Sequence, residues 1–184
     1  MATWIWIVIA VGAAVVIAAL AYTAWKARRT KTLQERFGPE YDRVSEEADS
    51  RRDAEAELLE RAKRREELDI RPLDPDARER YLVQWEEVQA RFVDDPEEAV
   101  ESADRLIQEV MRERGYPIDD FEQRAADLSV DHPEVVGHYR SAHAIATDRD
   151  TGGSRTEDLR RAMMHYRALF QEVLVAERDR EGVR

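Results

Sequence analysis

The sequence has no cysteine, which excludes disulfides, thiolate nucleophiles and cysteine-ligated zinc. It also has no charged side chain in its first 25 positions, so all 29 basic and 40 acidic residues are crowded into the remainder. Lysine is scarce, three residues against 26 arginines. No stretch sustains the alternation of apolar and polar residues that marks a half-buried strand.

The charge that is present falls into two blocks. Residues 26–36 carry Lys26, Arg28, Arg29, Lys31 and Arg36 against the single acid Glu35. Residues 37–184 carry 24 basic and 39 acidic side chains, a net charge of −15. An acidic domain has no cluster of phosphate-neutralising cations, and nucleic acid is therefore a poor partner for it.

The uncharged N-terminus is apolar. Trp4 to Trp25 runs for 22 positions without a charge, about 33 Å of helix against a hydrocarbon core of about 30 Å. Trp4 and Trp6 stand at one end, Tyr22 and Trp25 at the other, the positions that interfacial rings prefer. Ala19-Leu20-Ala21 offers a small-x-small cleavage site, but no basic region precedes the run, and the run exceeds the length of a signal-peptide core. The expectation is one uncleaved transmembrane helix over residues 1–25. The basic collar on its C-terminal side places the rest of the chain in the cytoplasm. Extracytoplasmic placement, with inverted topology, is the alternative. Ala10, Ala14 and Ala18 recur every four residues, a small-residue face through which two such helices could pair as a homo-oligomer.

After the collar, Phe37-Gly38-Pro39 breaks the chain, closing a basic juxtamembrane segment over 26–39. Eighteen of the 29 residues from Glu40 to Leu68 are charged. Glu47/Arg51, Glu57/Arg61 and Glu60/Arg64 sit four apart with the acid first. Only Tyr41, Val44, Ala48, Leu58 and Ala62 are spaced as an apolar stripe. Residues 40–72 are thus expected to form a charged stalk, its helix over 40–68 about 43 Å long if continuous, or a weak coiled coil.

Residues 73–178 read differently. Asp74-Pro75 starts a helix with Tyr81, Trp85, Val88 and Phe92 on one face. Asp95-Pro96 starts a second with Val100, Ala103, Ile107 and Val110 inward, ended by Gly115 and Pro117. Asp119 with Glu122 resembles a capping box before Phe121, Ala125 and Leu128. Asp131-His132-Pro133 precedes Val136, Tyr139 and His143. Thr151-Gly152-Gly153-Ser154 reads as a flexible loop, after which a Thr156 cap opens the stripe Leu159, Met163, Tyr166, Phe170 and Val173. These segments predict an all-α fold, a small helical bundle with a short tail over 179–184.

Nothing in the bundle selects a catalytic residue, a cofactor or a metal ligand. A di-iron bundle needs Glu-x-x-His motifs, and none of His132, His138, His143 or His165 has a glutamate three residues before it. Glu134 and His138 could share a face, but His138 and His143 are about 140° apart around a helix. The pairs Asp94-Asp95, Glu97-Glu98 and Asp119-Asp120 fall at helix starts, where capping and the helix dipole account for them.

Several segments nevertheless form a recognisable set: RFGPEYDR (36–43), LDIRPL (68–73), VQARFVDDP (88–96), VMRERGYP (110–117), DFEQRAADLSVDHP (120–133) and TEDLRRAMMHYRALF (156–170). On these the chain resembles a family of actinobacterial single-pass membrane proteins with no assigned function. The resemblance implies a shared architecture and carries over no activity. The expectation is a membrane-tethered helical module that binds an unidentified protein partner. An enzyme or metal-binding bundle with an unrecognised site is the alternative.

Overall fold

The computed structural model describes the backbone of residues 3–147 and 155–181, and the side chains of Trp4, Trp6, 12–147 and 155–174. Among these residues the chain forms eight helices and no strand: α1 (Thr3–Phe37), α2 (Pro39–Glu47), α3 (Arg51–Glu67), α4 (Pro75–Arg91), α5 (Pro96–Arg114), α6 (Phe121–Asp131), α7 (Val136–Thr147) and α8 (Arg155–Glu181). The fold is all-α and its larger part is a helical bundle.

The caps follow from local chemistry. The carboxylates of Asp74, Asp95 and Asp120 accept backbone N–H groups of Asp76, Glu98 and Gln123 at 2.9, 3.1 and 2.8 Å. Each such cap contributes about 1 kcal/mol. The cap of α6 is Asp120 rather than the expected Asp119, because the helix begins one residue later and its third N–H meets Asp120. Thr156 does not cap α8 either, since that helix already includes Arg155. α5 ends on Gly115 at φ +98°, with Tyr116 N–H donating to Met111 O and Gly115 N–H to Arg112 O, a Schellman closure. A Cβ at Gly115 would stand 2.3 Å from the Asp69 carbonyl oxygen, so no other residue fits beside that linker.

α4, α5, α6, α7 and α8 close the main core, in which Trp85, Ile107, Met111, Leu128, Tyr139, Tyr166 and Phe170 are buried. Trp85 and Phe170 stack at a centroid distance of 4.5 Å. A second core lies beside it, built from Leu33 and Phe37 of α1, Tyr41 and Val44 of α2, Ala54, Leu58 and Ala62 of α3, and Val130 of α6. α6 serves both cores, with Ala125 and Leu128 in the first and Val130 in the second.

This second core corrects the expected stalk. Residues 40–72 are not one solvated rod: the helix breaks after Glu47, and Ser50 caps α3 by accepting the Asp53 N–H. α2 and α3 then fold against each other, and α3 packs on α6. Five apolar positions are too few to bury one another alone. Here α1 and α6 supply the missing apolar surface, so Leu58 is fully buried. The break also separates Glu47 from Arg51, while Arg64 pairs with Asp127 of α6 rather than staying within its own helix. Only the Glu57–Arg61 pair forms as the spacing suggests.

α1 continues without interruption through the basic collar to Phe37. Among the described residues no helix is long and apolar enough to cross a membrane. The span expected over Trp4–Trp25 thus finds no support there. Most side chains of its first half, 5 and 7–11, lie outside the described residues, as does Ala10 of the small-residue face. Every side chain from Gly12 to Trp25 is exposed. The expected loop at 151–154 and the tail at 182–184 also lie outside the described residues, and α8 runs past the expected boundary at 178.

Candidate functional site

Among the described residues a well-connected polar group is Glu40, in the first turn of α2 and 3% exposed. Gly38, at φ +44°, turns the chain sharply enough to bring it there. Three arginines from three helices converge on its carboxylate. Arg43 donates from the next turn at 3.0 and 2.7 Å, Arg61 of α3 at 2.8 Å, and Arg140 of α7 at 2.9 and 3.1 Å. Burial alone would raise the Glu40 pKa, but the hydrogen bonds and charges of Arg43, Arg140 and Arg61 hold it below the usual carboxylate range. Burial lowers the Arg140 pKa, against the opposing pull of Glu40.

A second set of pairs ties α3 to α6. Arg64 Nε stands 3.1 Å from Asp127 Oδ1, and Arg65 meets Asp131. Tyr116 donates to the same Asp131 at 2.7 Å. Asp127 is fully buried, and burial raises its pKa despite Gln123 and Arg64. Above these pairs lies a groove of about 670 Å³ between α2, α3 and α6, lined by charged side chains including Arg43, Glu57, Arg61, Arg64 and Glu122. Three of its cations are already paired with carboxylates. No serine, threonine, tyrosine or histidine lines it, so it presents no hydroxyl nucleophile or imidazole base. The ion pairs of Arg61 and Arg64 tie α3 to α2 and to α6.

The histidines part company. His132 is buried, its Nδ1 3.2 Å from Glu172 Oε1, and burial lowers its pKa in spite of that carboxylate. His143 stacks on Phe121 at 3.6 Å. His138, by contrast, meets His165 of α8, with the two Nδ1 atoms 2.8 Å apart. Spacing within one helix excludes a His138–His143 pair but says nothing about a partner 27 residues away. The Glu134 carboxylate lies beside Gly38, 2.9 Å from where a Cβ there would stand. The acid pairs act as the sequence suggests: Asp95 and Asp120 cap helices, and Glu97 and Glu98 sit in a first turn. Among the described residues no three His, Asp or Glu side chains are grouped as a metal site.

No family model matches the chain, and no curated protein or solved structure matches it either. The family resemblance therefore rests on the sequence segments alone.

Proposed function

We propose that this chain is a single-pass membrane protein whose acidic helical domain, held at the cytoplasmic face, binds a protein partner. The observation that carries the reading is the division of α1. Its residues from Gly12 to Trp25, among them Val15, Val16, Ile17, Leu20 and Trp25, are exposed and make no core. Its last turns, by contrast, bury Leu33 and Phe37 inside the domain. Contiguous exposed apolar surface of this kind requires a non-aqueous neighbour, and 22 uncharged positions suit a bilayer.

The collar supports the orientation. Lys26, Arg28, Lys31 and Arg36 are exposed immediately beyond the apolar run, where positive charge is retained on the cytoplasmic side. Thr30 donates to Glu55 of α3 at 2.6 Å. The domain is thus joined to α1 by packing and a buried hydrogen bond rather than by a flexible tether, and it would meet its partner at a fixed height and angle.

Alkaline extraction of membranes from cells expressing the full chain tests the anchor, and protease protection tests the side. Retention in the pellet with the C-terminus cleaved only after the cytoplasmic face is opened is expected. Release into the soluble fraction, or a product beginning near Tyr22, would overturn the anchor. Cleavage in intact cells would overturn the orientation.

A further inference from the structure

His138 of α7 and His165 of α8 lie in two helices packed against each other. Their ring centroids are 5.0 Å apart with the planes inclined by 32°, and the Nδ1 atoms face at 2.8 Å. Both rings are half-buried. Only one proton fits between the two nitrogens, so with no cation present one Nδ1–H donates and the other Nδ1 accepts. If the donor ring passes to its Nε2–H tautomer, both Nδ1 lone pairs point into the same volume and no net proton leaves. That tautomer is accessible: His132 Nε2 is buried without a partner, but neither His138 Nε2 nor His165 Nε2 is.

We propose that His138 and His165 form a two-nitrogen chelate for a borderline divalent transition cation, Zn²⁺ or Cu²⁺, clasping α7 to α8. Tetrahedral zinc with metal–nitrogen bonds of about 2.0–2.1 Å needs its two nitrogens about 3.3 Å apart. The rings must therefore separate by roughly half an ångström, a small rotation for two half-exposed side chains. Among the described residues no third ligand completes a cluster. Water fills the remaining positions, which makes the site open rather than closed. Imidazole ligands select zinc and copper over magnesium and calcium, which take oxygen. Arg161 opposes a cation at His165, but its guanidinium is paired with Asp158.

The test uses the full chain in detergent, stripped with a chelator and then titrated with Zn²⁺ or Cu²⁺ alone by calorimetry. Expected is one ion per chain, with affinity about tenfold or more weaker in His138→Gln or His165→Gln, as loss of one of two ligands requires. His143→Gln, which alters the ring on Phe121, should leave affinity unchanged. Electron paramagnetic resonance of the Cu²⁺ form should show superhyperfine coupling to two imidazole nitrogens. Absence of stoichiometric binding overturns the proposal, and so does binding that survives the His138/His165 double substitution. Should either variant fail to fold by circular dichroism, the copper spectrum of the unmodified chain decides: coupling to two imidazoles supports the site, and one or none overturns it.

Discussion

Arg140 reaches Glu40 across 100 residues of sequence, its Nη1 2.9 Å from Oε2 and its Nη2 3.1 Å from Oε1. This two-point contact fastens α7 of the main bundle to α2 of the N-terminal hairpin. Arg43 and Arg61 complete the ring around the same carboxylate.

Glu40→Gln should destabilise the chain by about 2–4 kcal/mol, somewhat less than a fully buried pair broken on one side, because the guanidiniums keep part of their water. Arg140→Met alone should cost less, since Glu40 retains two arginines. The double substitution should be less destabilising than the sum of the two. Denaturant unfolding of all three variants measures the coupling, and strict additivity would show that the contact carries no energy.

The hairpin itself gives a sharper contrast. Leu58→Ala should cost about 2–5 kcal/mol as a fully buried truncation, whereas Glu60→Ala, on the exposed face, should change stability by no more than about 0.5 kcal/mol. A chain starting near Leu73 would expose Val130 and strip Asp127, Asp131 and Arg140 of their partners on α2 and α3. It should remain helical by circular dichroism but melt earlier and over a broader range than the full chain. An unchanged melting curve would return the segment to the role of a spacer.

In the main core, Trp85→Ala and Phe170→Ala should each cost about 3–5 kcal/mol. Because the rings stack at 4.5 Å, their double-mutant cycle should leave a coupling of about 0.5–1.5 kcal/mol. Thermal melts in a fixed detergent read both quantities.

Acid should weaken the fold through its buried histidines. Burial lowers the His132 pKa from 6.5 in the folded state, with Glu172, Asp131 and Arg114 as its charged neighbours. Below about pH 6.5 the unfolded chain therefore binds a proton that the folded chain refuses, so stability is full above that pH and falls as pH drops through the folded value. His143 and His165 shift in the same direction. Melting temperature should fall between about pH 7 and pH 5, and His132→Gln should flatten that slope without abolishing it. Protonation of Glu40, whose pKa is lowered in the folded state, adds a further loss only at lower pH. A melting temperature flat across the first window would contradict the burial of His132.

The sequence by itself determined what depends on neighbours along the chain. The stripe Tyr81, Trp85, Val88 repeats at helical spacing, and all three are buried. Asp74, Asp95 and Gly115 start and stop helices because a side-chain oxygen or a left-handed backbone does so locally. Tertiary structure decided what depends on distant partners. Leu58 and Ala62 looked too sparse to form a core until Phe37 and Val130 met them. Glu40, read from the sequence, was the first of many charges in the expected stalk; it became a hub only when Arg61 and Arg140 arrived from other helices. His138 and His165 carry no mutual signal either, because helical periodicity relates residues three or four apart and is blind to 27. A buried ion pair or an imidazole pair needs two elements in register, and that register is set by the packing of whole helices.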